Sequence, residues 1–298
     1  MPPSRVVSVK AGNIIGRDGA VDPKRVRLAL EAGLAALAEA PGIREALDRL
    51  FKRDERFGIK INTIAGPALS TLPETSLPLA RLLLESRLAP KSVVIWDRTN
   101  RELRDAGYTL NLGSSGPSVL GTDTEGFGYE RELVSHKNIG SLFSTILSRR
   151  VTSSISLAIL KDHGLAGVTG GMKNYFGAVH NPNKYHDTGC DPFVAELFET
   201  DEIRSRHRLT ILDALVVQFH RGPSHHPRWA KKLETFLFSL DPVAADSAGW
   251  SVIERLRARA GLPSLEEEGR EPTYLRTAEK MGLGVARSDG IRLVEIEV

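Results

Sequence analysis

Two apolar periods alternate along the chain. Val6, Val7 and Val9 open it with a short strand pattern. Asp22 then offers a capping acceptor ahead of Pro23, and Val26, Leu30, Leu34 and Leu37 recur at helical spacing until Pro41-Gly42 stops the run. A second short helix is expected over residues 43–51. Residues 57–62 read as a buried strand that runs into a small-residue loop, 63–67, and a helix follows over about 73–85 with Leu77, Ala80, Leu83 and Leu84 on its apolar side. The next strand, 93–96, ends on Asp97, and a short helix is expected over 100–106. Further on, the pattern predicts a helix at 139–147 and strands at 153–159, 208–213, 236–239 and 292–296. It also predicts a short helix from Pro192, a long helix from Asp241-Pro242 to Ala258 with Ala245, Ala248, Trp250 and Ile253 inward, and a last helix over 273–281.

Strands alternating with helices argue for an α/β fold with a mixed, mostly parallel sheet and helices on both faces. At 298 residues the chain could be one domain spanning 1–298 or two lobes, about 1–110 and 111–298; no linker marks the boundary. Residues 107–132 are rich in glycine and serine and read as a loop or irregular insertion. Gly113-Ser114-Ser115-Gly116 has only loosely the composition of an anion-cradling loop, without its strand-loop-helix frame, and reads rather as a plain surface loop.

In parallel sheets, ligands bind just past strand C-termini. Lys60, Asn62 and Thr63 hold that position after one strand, and Asp97, Arg98 and Thr99 after another, although Asp97 or Thr99 could simply cap the next helix. Asp213 ends a third strand, with a turn as the alternative. The densest chemistry lies between Leu160 and Phe193. That stretch holds three of the eight histidines, the single cysteine, six glycines and three lysines, with no sustained period. Lys161-Asp162-His163 falls at the end of a strand. The turn Thr169-Gly170-Gly171 would let backbone N–H groups approach an anion, and Lys173 would stand on the first turn of the next helix. His180, His186, Cys190 and Asp191, with Asp187, are ligand types suited to zinc, nickel or iron, but their spacing matches no familiar ligand pattern and Asn181-Pro182-Asn183 reads as a turn.

Composition narrows the classes. The charge is nearly balanced, 40 basic against 37 acidic residues for a net +3, so a pI near 9.0 argues little for nucleic acid. Aromatics interleaved with basic residues from Phe219 to Lys232 would suit a nucleic-acid backbone, an anionic cofactor or an ordinary solvated loop. One cysteine excludes an internal disulfide and any all-thiolate cluster. No apolar stretch suits a signal peptide or a membrane span, so a cytoplasmic protein with no membrane partner is expected.

The segment from Asp162-His163 through Gly177, with His180-Asn181-Pro182-Asn183 and Cys190-Asp191-Pro192, resembles domain-of-unknown-function family 362. So do Lys60-Ile61-Asn62-Thr63, Trp96-Asp97-Arg98-Thr99 and Asp241-Pro242-Val243-Ala244. That resemblance names no reaction. His163, Ala166, Gly167, Gly170, Gly171 and Lys173 are also similar in type and spacing to the His-x-x-Ala-Gly-x-Ser-Gly-Gly-x-Lys motif of lactate racemases, with Thr169 in place of the serine. Asp97-Arg98-Thr99 resembles the same family's Asp-x-Thr-Arg motif, with Asn100 where the arginine stands and Arg101 one place later. The racemase resemblance implies a proton-exchanging histidine at His163 and a lysine at Lys173 joined to a nickel-pincer nucleotide. Whether the nucleotide, nickel or another divalent metal is used stays open.

Two functions follow as expectations. The first is an enzyme on a small anionic organic substrate, working by proton or hydride transfer, with His163, Lys173 and Asp97 catalytic. Lys60, Asn62, Thr99, Thr169, Gly170, Gly171 and Lys173 would hold a cofactor or the anion. The second is a non-catalytic accessory of a redox or cofactor-assembly system, recognising a protein partner. Nucleic-acid binding stands behind both.

Overall fold

The computed structural model describes residues 3–88, 91–113 and 115–298. Ser114, in the glycine-serine loop, lies outside the described residues. The first elements are β1 (Ser4–Lys10), α1 (Pro23–Leu37), α2 (Ile43–Leu50), β2 (Arg56–Lys60), α3 (Pro73–Leu84), β3 (Ser92–Asp97) and α4 (Asn100–Asp105). There follow β4 (Ser118–Gly121), β5 (Val134–His136), β6 (Ile139–Ser141), β7 (Ser153–His163), β8 (Gly167–Thr169), α5 (Phe193–Glu199) and α6 (Asp201–Arg204). The chain closes with β9 (His207–Gln218), β10 (Ala230–Ser239), α7 (Pro242–Arg259), α8 (Tyr274–Lys280) and β11 (Ile291–Glu297).

One sheet runs β11-β1-β10-β9-β7-β2-β3-β4, with β8 added to the far end of β7. The block β9-β7-β2-β3-β4 is parallel throughout, as is β1 with β11, while β10 lies antiparallel to both its neighbours. The α/β architecture with a mixed, mostly parallel sheet is therefore as the periodicity predicts. Strands from both sides of residue 110 share this sheet.

The helix starts are dictated locally. Asp22 accepts from Lys24 N ahead of Pro23, Thr99 from Glu102 N, and Asp241 from Ala244 N ahead of Pro242. Leu30 and Leu34 of α1 pack with Leu79 and Leu83 of α3 against Ile59, Ile95 and Ile155 on one face of the sheet. On the other, α7 sets Ala244, Ile253 and Leu256 against Leu160 and Leu212, burying apolar surface worth about 25 cal/mol per Å².

β7 is buried along all eleven residues, because parallel partners cover its edges and helices its faces. Three elements differ from the periodic reading. Residues 139–147 form β6 and a following single turn rather than a helix; Ile139 and Ser141 pair with β5 as a small hairpin. β9 continues five residues past Asp213 to Gln218, so Asp213 lies within a strand, accepting from Leu215 N. β10 begins at Ala230 and pairs back onto β9, so the basic-aromatic segment is a hairpin connection and not a free loop.

Candidate functional site

The C-terminal ends of β7, β2 and β3 lie side by side, and each carries a buried ionisable group. Lys60 ends β2 and Asp97 ends β3. The Lys60 ammonium donates to Asp97 Oδ1 at 2.6 Å, to Ile61 O at 2.7 Å and to Asn174 Oδ1 at 3.2 Å. The other Asp97 oxygen accepts from Thr63 N at 2.8 Å and Thr63 Oγ1 at 2.7 Å. Gly177 closes over this pair; a Cβ there would sit 2.8 Å from Lys60 Nζ and 3.1 Å from Asp97 Oδ1. Asp97 is thus fully engaged inside the protein, as the floor of the site.

Strand alternation sorts the next three residues. Lys161 and His163 share one face of β7, and Asp162 points to the other, where it accepts from Gly222 N and Arg270. Lys161 donates to Asn62 Oδ1 at 3.1 Å and Leu69 O at 3.3 Å, and no carboxylate lies within 4 Å of it among the described residues. Burial pushes its ammonium down to about 7, against the pull of Asp97. Thr169 on β8 is the cross-strand partner of Lys161, and its hydroxyl is buried with no hydrogen-bond partner among the described residues.

His163 Nδ1 accepts from both Leu165 N and Ala166 N, each at 3.2 Å. That fixes the imidazole proton on Nε2, and a second proton would have to displace two amides. Burial, with Lys173 and His186 adding, pushes the ring down to about 2. His163 is therefore a neutral donor.

Lys173 opens the short 3-10 turn Lys173–Ala178 rather than a full helix. Its Nζ lies 3.1 Å from His186 Nε2 and 4.5 Å from the centre of the Phe176 ring, with no carboxylate within 4 Å among the described residues. Burial pushes it down to about 8. His186 Nδ1 donates to Pro182 O at 3.0 Å, which leaves Nε2 as the acceptor facing Lys173, and the His163 and His186 rings stack at 5.6 Å. Lys60, Asn62, Asp97, Lys161, His163, Thr169, Lys173 and His186 all line one cavity of about 160 Å³.

Other expected residues sit elsewhere. Gly171 N and Met172 N donate to the Asp246 carboxylate on α7 at 2.6 and 3.0 Å, so the glycine turn cradles an anion that the protein supplies itself. Gly170 is needed because a Cβ would lie 2.4 Å from Asp246, and Gly171 because a Cβ would meet Thr210 at 2.4 Å. Thr99 caps α4 and does not line the cavity. The four residues His180, His186, Cys190 and Asp191 do not converge: among the described residues no three His, Cys, Asp or Glu side chains are placed to hold a metal ion. His180 accepts from Leu142 N, Cys190 is buried in an apolar cluster that pushes its thiol up, and only His186 reaches the cavity. Phe219 is buried and His220 contacts Arg257, so part of the basic-aromatic segment is internal packing.

Lys161 and Arg98, expected at strand ends but given no role there, line the cavity, as does Asn174, which with Asp246 was not expected. Strand alternation sets Lys161 on the face of His163, two residues on; no local signal points to Asp246, 75 residues from Gly171.

The cavity is small. It does not fit a nickel-pincer nucleotide: pockets for drug-sized ligands run to about 300–1,000 Å³, and the turn's amides are held by Asp246.

No curated protein shows significant sequence similarity to the chain. Among solved structures, a protein from Thermotoga maritima is 10% identical, with a TM-score of 0.48 over 80% of this chain and 59% of its own length. The lactate racemase apoprotein from Thermoanaerobacterium thermosaccharolyticum is 12% identical, with a TM-score of 0.46 over 86% of this chain and 58% of its own. The chain thus spans less than two thirds of either. Among the described residues no helix is long and apolar enough to cross a membrane. The family model described as Domain of unknown function (DUF362) matches residues 58–251, from the strand that carries Lys60 to the helix that carries Asp246, and the chain belongs to that family.

Proposed function

We propose that the chain is an enzyme acting on a small organic carboxylate by proton transfer at a carbon made acidic by the carboxylate or by an adjoining carbonyl. The observation that carries this reading is the convergence of Lys161, Lys173, His163 Nε2 and the unpartnered Thr169 hydroxyl on one small cavity. Two buried lysines without a carboxylate partner leave positive charge that an anionic ligand offsets. Lys161, held by two carbonyl oxygens, serves as the carboxylate anchor. Lys173, pushed down to about 8, is mostly protonated at neutral pH but holds a far larger share of neutral amine than an ordinary lysine, the form that acts as base or nucleophile. His163, a fixed neutral donor, stabilises negative charge that develops on the substrate oxygen. Lys60 and Asp97 hold the floor.

Hydrogen–deuterium exchange at the α-carbon of glycolate, lactate and malate and at the methyl carbon of pyruvate, followed by proton NMR in D2O, tests this reading. Exchange of at least one of them is expected to fall about 100-fold or more in Lys173→Arg and His163→Asn, with the melting temperature little changed. No exchange and no thermal stabilisation by any of the four would reject it.

A further inference from the structure

We infer that Lys173 is a covalent nucleophile, forming a Schiff base with the carbonyl carbon of a small 2-oxo acid, and that His186 takes the proton its amine gives up. This rests on the reading that the cavity binds a small carboxylate. Three features of geometry support it. The Lys173 amine is buried in the cavity wall without a carboxylate to hold it as a permanent cation. His186 presents a bare Nε2 to it at 3.1 Å, because Nδ1–H is committed to Pro182 O. Donors for the rest of a 2-oxo acid line the same cavity: Lys161 and the Thr169 hydroxyl for the carboxylate, and His163 Nε2–H for the carbonyl oxygen. A lysine desolvated by burial, away from any carboxylate within 4 Å among the described residues, is an arrangement that yields a nucleophilic amine.

The chemistry balances without an oxidant or reductant. The Lys173 nitrogen lone pair adds to the carbonyl carbon as the C–O π pair moves to oxygen. One N–H proton passes to His186, and the oxygen takes up a proton to become a carbinol hydroxyl. That hydroxyl then leaves as water with one further proton, the nitrogen lone pair closes the C=N bond, and a protonated imine remains. Overall, amine, carbonyl and one proton give iminium and water. The iminium draws electrons from the adjacent carbon, which makes a C–H there acidic, in keeping with proton transfer as the reaction class.

The test is reductive trapping. The full-length chain is incubated with glyoxylate, pyruvate or 2-oxobutyrate and sodium cyanoborohydride, followed by intact mass spectrometry and peptide mapping. The expected result is one reduced adduct per chain, located on Lys173. It should be absent from Lys173→Arg, unchanged in Lys91→Arg and formed about 10-fold more slowly in His186→Gln. The inference is overturned by adducts spread over exposed lysines and equally abundant in Lys173→Arg, or by no adduct. Thermal shift with the same acids separates the two failures. Stabilisation without an adduct overturns covalent catalysis and leaves the carboxylate site standing, whereas no stabilisation and no adduct overturn both. Circular dichroism melts of Lys173→Arg and His186→Gln establish that a lost adduct is not lost folding.

Discussion

The Lys60 ammonium and the Asp97 carboxylate meet at 2.6 Å, at the ends of adjacent parallel strands, and both side chains are almost wholly buried. Neither can find water if its partner is removed. Asp97→Asn leaves an ammonium buried without a counter-charge and is expected to cost about 3–5 kcal/mol. The double substitution Lys60→Met/Asp97→Leu should cost less than the sum of the single changes, by 1 kcal/mol or more on the order-of-magnitude scale of contacting pairs. Urea denaturation of the four proteins measures this coupling; additivity would show that the pair does not act as a unit.

Asp246 makes a prediction about pH. Burial pushes its carboxyl up to about 7, from an ordinary 3.8, against the two amides of Gly171 and Met172 that favour ionisation. Between about pH 4 and 7 the folded chain therefore keeps a proton that the unfolded chain has released, and the contribution of Asp246 to stability falls as pH rises through that window. Asp213, pushed up to about 6, acts in the same direction. In Asp246→Asn the slope of stability against pH should become more positive, by about one proton, in chemical denaturation at pH 4.5, 5.5 and 6.5. An unchanged slope would mean that Asp246 is ionised throughout. Gly170→Ala, whose Cβ would meet the same carboxylate at 2.4 Å, should disrupt the turn that presents Lys173.

How much of this could be read from the chain alone depends on how local the cause is. The helices at Pro23, Asn100 and Pro242 are announced by their own caps, and the parallel block by apolar runs separated by helices. Lys60, Asn62, Asp97 and His163 are legible because a parallel sheet places strand ends together whatever the sequence between them. Gly170 and Gly171 stand out as a turn, yet the anion they bind comes from α7, and long-range partnership leaves no mark near the glycines. The ligand-type residues 180–191 mislead for a similar reason: the backbone directs His180 to Leu142 and buries Cys190, which spacing does not encode. Family membership over residues 58–251 agrees with the spread of matching motifs.

Lys161 should display a trade-off between stability and binding. Burial lowers its folded pKa from 10.5 to about 7, so between about pH 7 and 10.5 the unfolded chain holds a proton that the folded chain lacks. Stability from this group rises with pH across that window, and the burial cost is fully present below pH 7. Lys161→Met keeps the volume and removes the charge. It is expected to be more stable than the parent at pH 6, by a few kcal/mol on the order-of-magnitude scale of such shifts, with the gain shrinking by pH 10. The same variant should lose the thermal stabilisation that pyruvate gives the parent, an effect of about 2.7 kcal/mol at 100 times Kd. Urea melts at the two pH values with and without pyruvate measure both. A variant that is less stable at pH 6 would place the Lys161 ammonium in a net favourable setting.

His163 provides the sharpest check on the site's electrostatics, because its proton is fixed by backbone amides. With Nδ1 accepting from Leu165 N and Ala166 N, the ring is expected to remain the neutral Nε2–H tautomer well below its ordinary 6.5, since burial pushes it down to about 2. The unfolded chain takes up a proton near pH 6.5 that the folded chain refuses, so the contribution of His163 to stability falls as pH drops below that value, by about 1.4 kcal/mol per pH unit for one proton. His207, pushed down to about 3, adds a second proton over most of the same range. His163→Asn supplies a carbonyl oxygen that can still accept from the two amides but cannot titrate, so it should remove one proton's share of the slope between about pH 4 and 6. Nitrogen-15 NMR of the imidazole reads the tautomer directly. Shifts that stay constant from pH 8 to 5 bear out a fixed donor, and a midpoint near 6.5 would instead return His163 to the role of an ordinary acid and base.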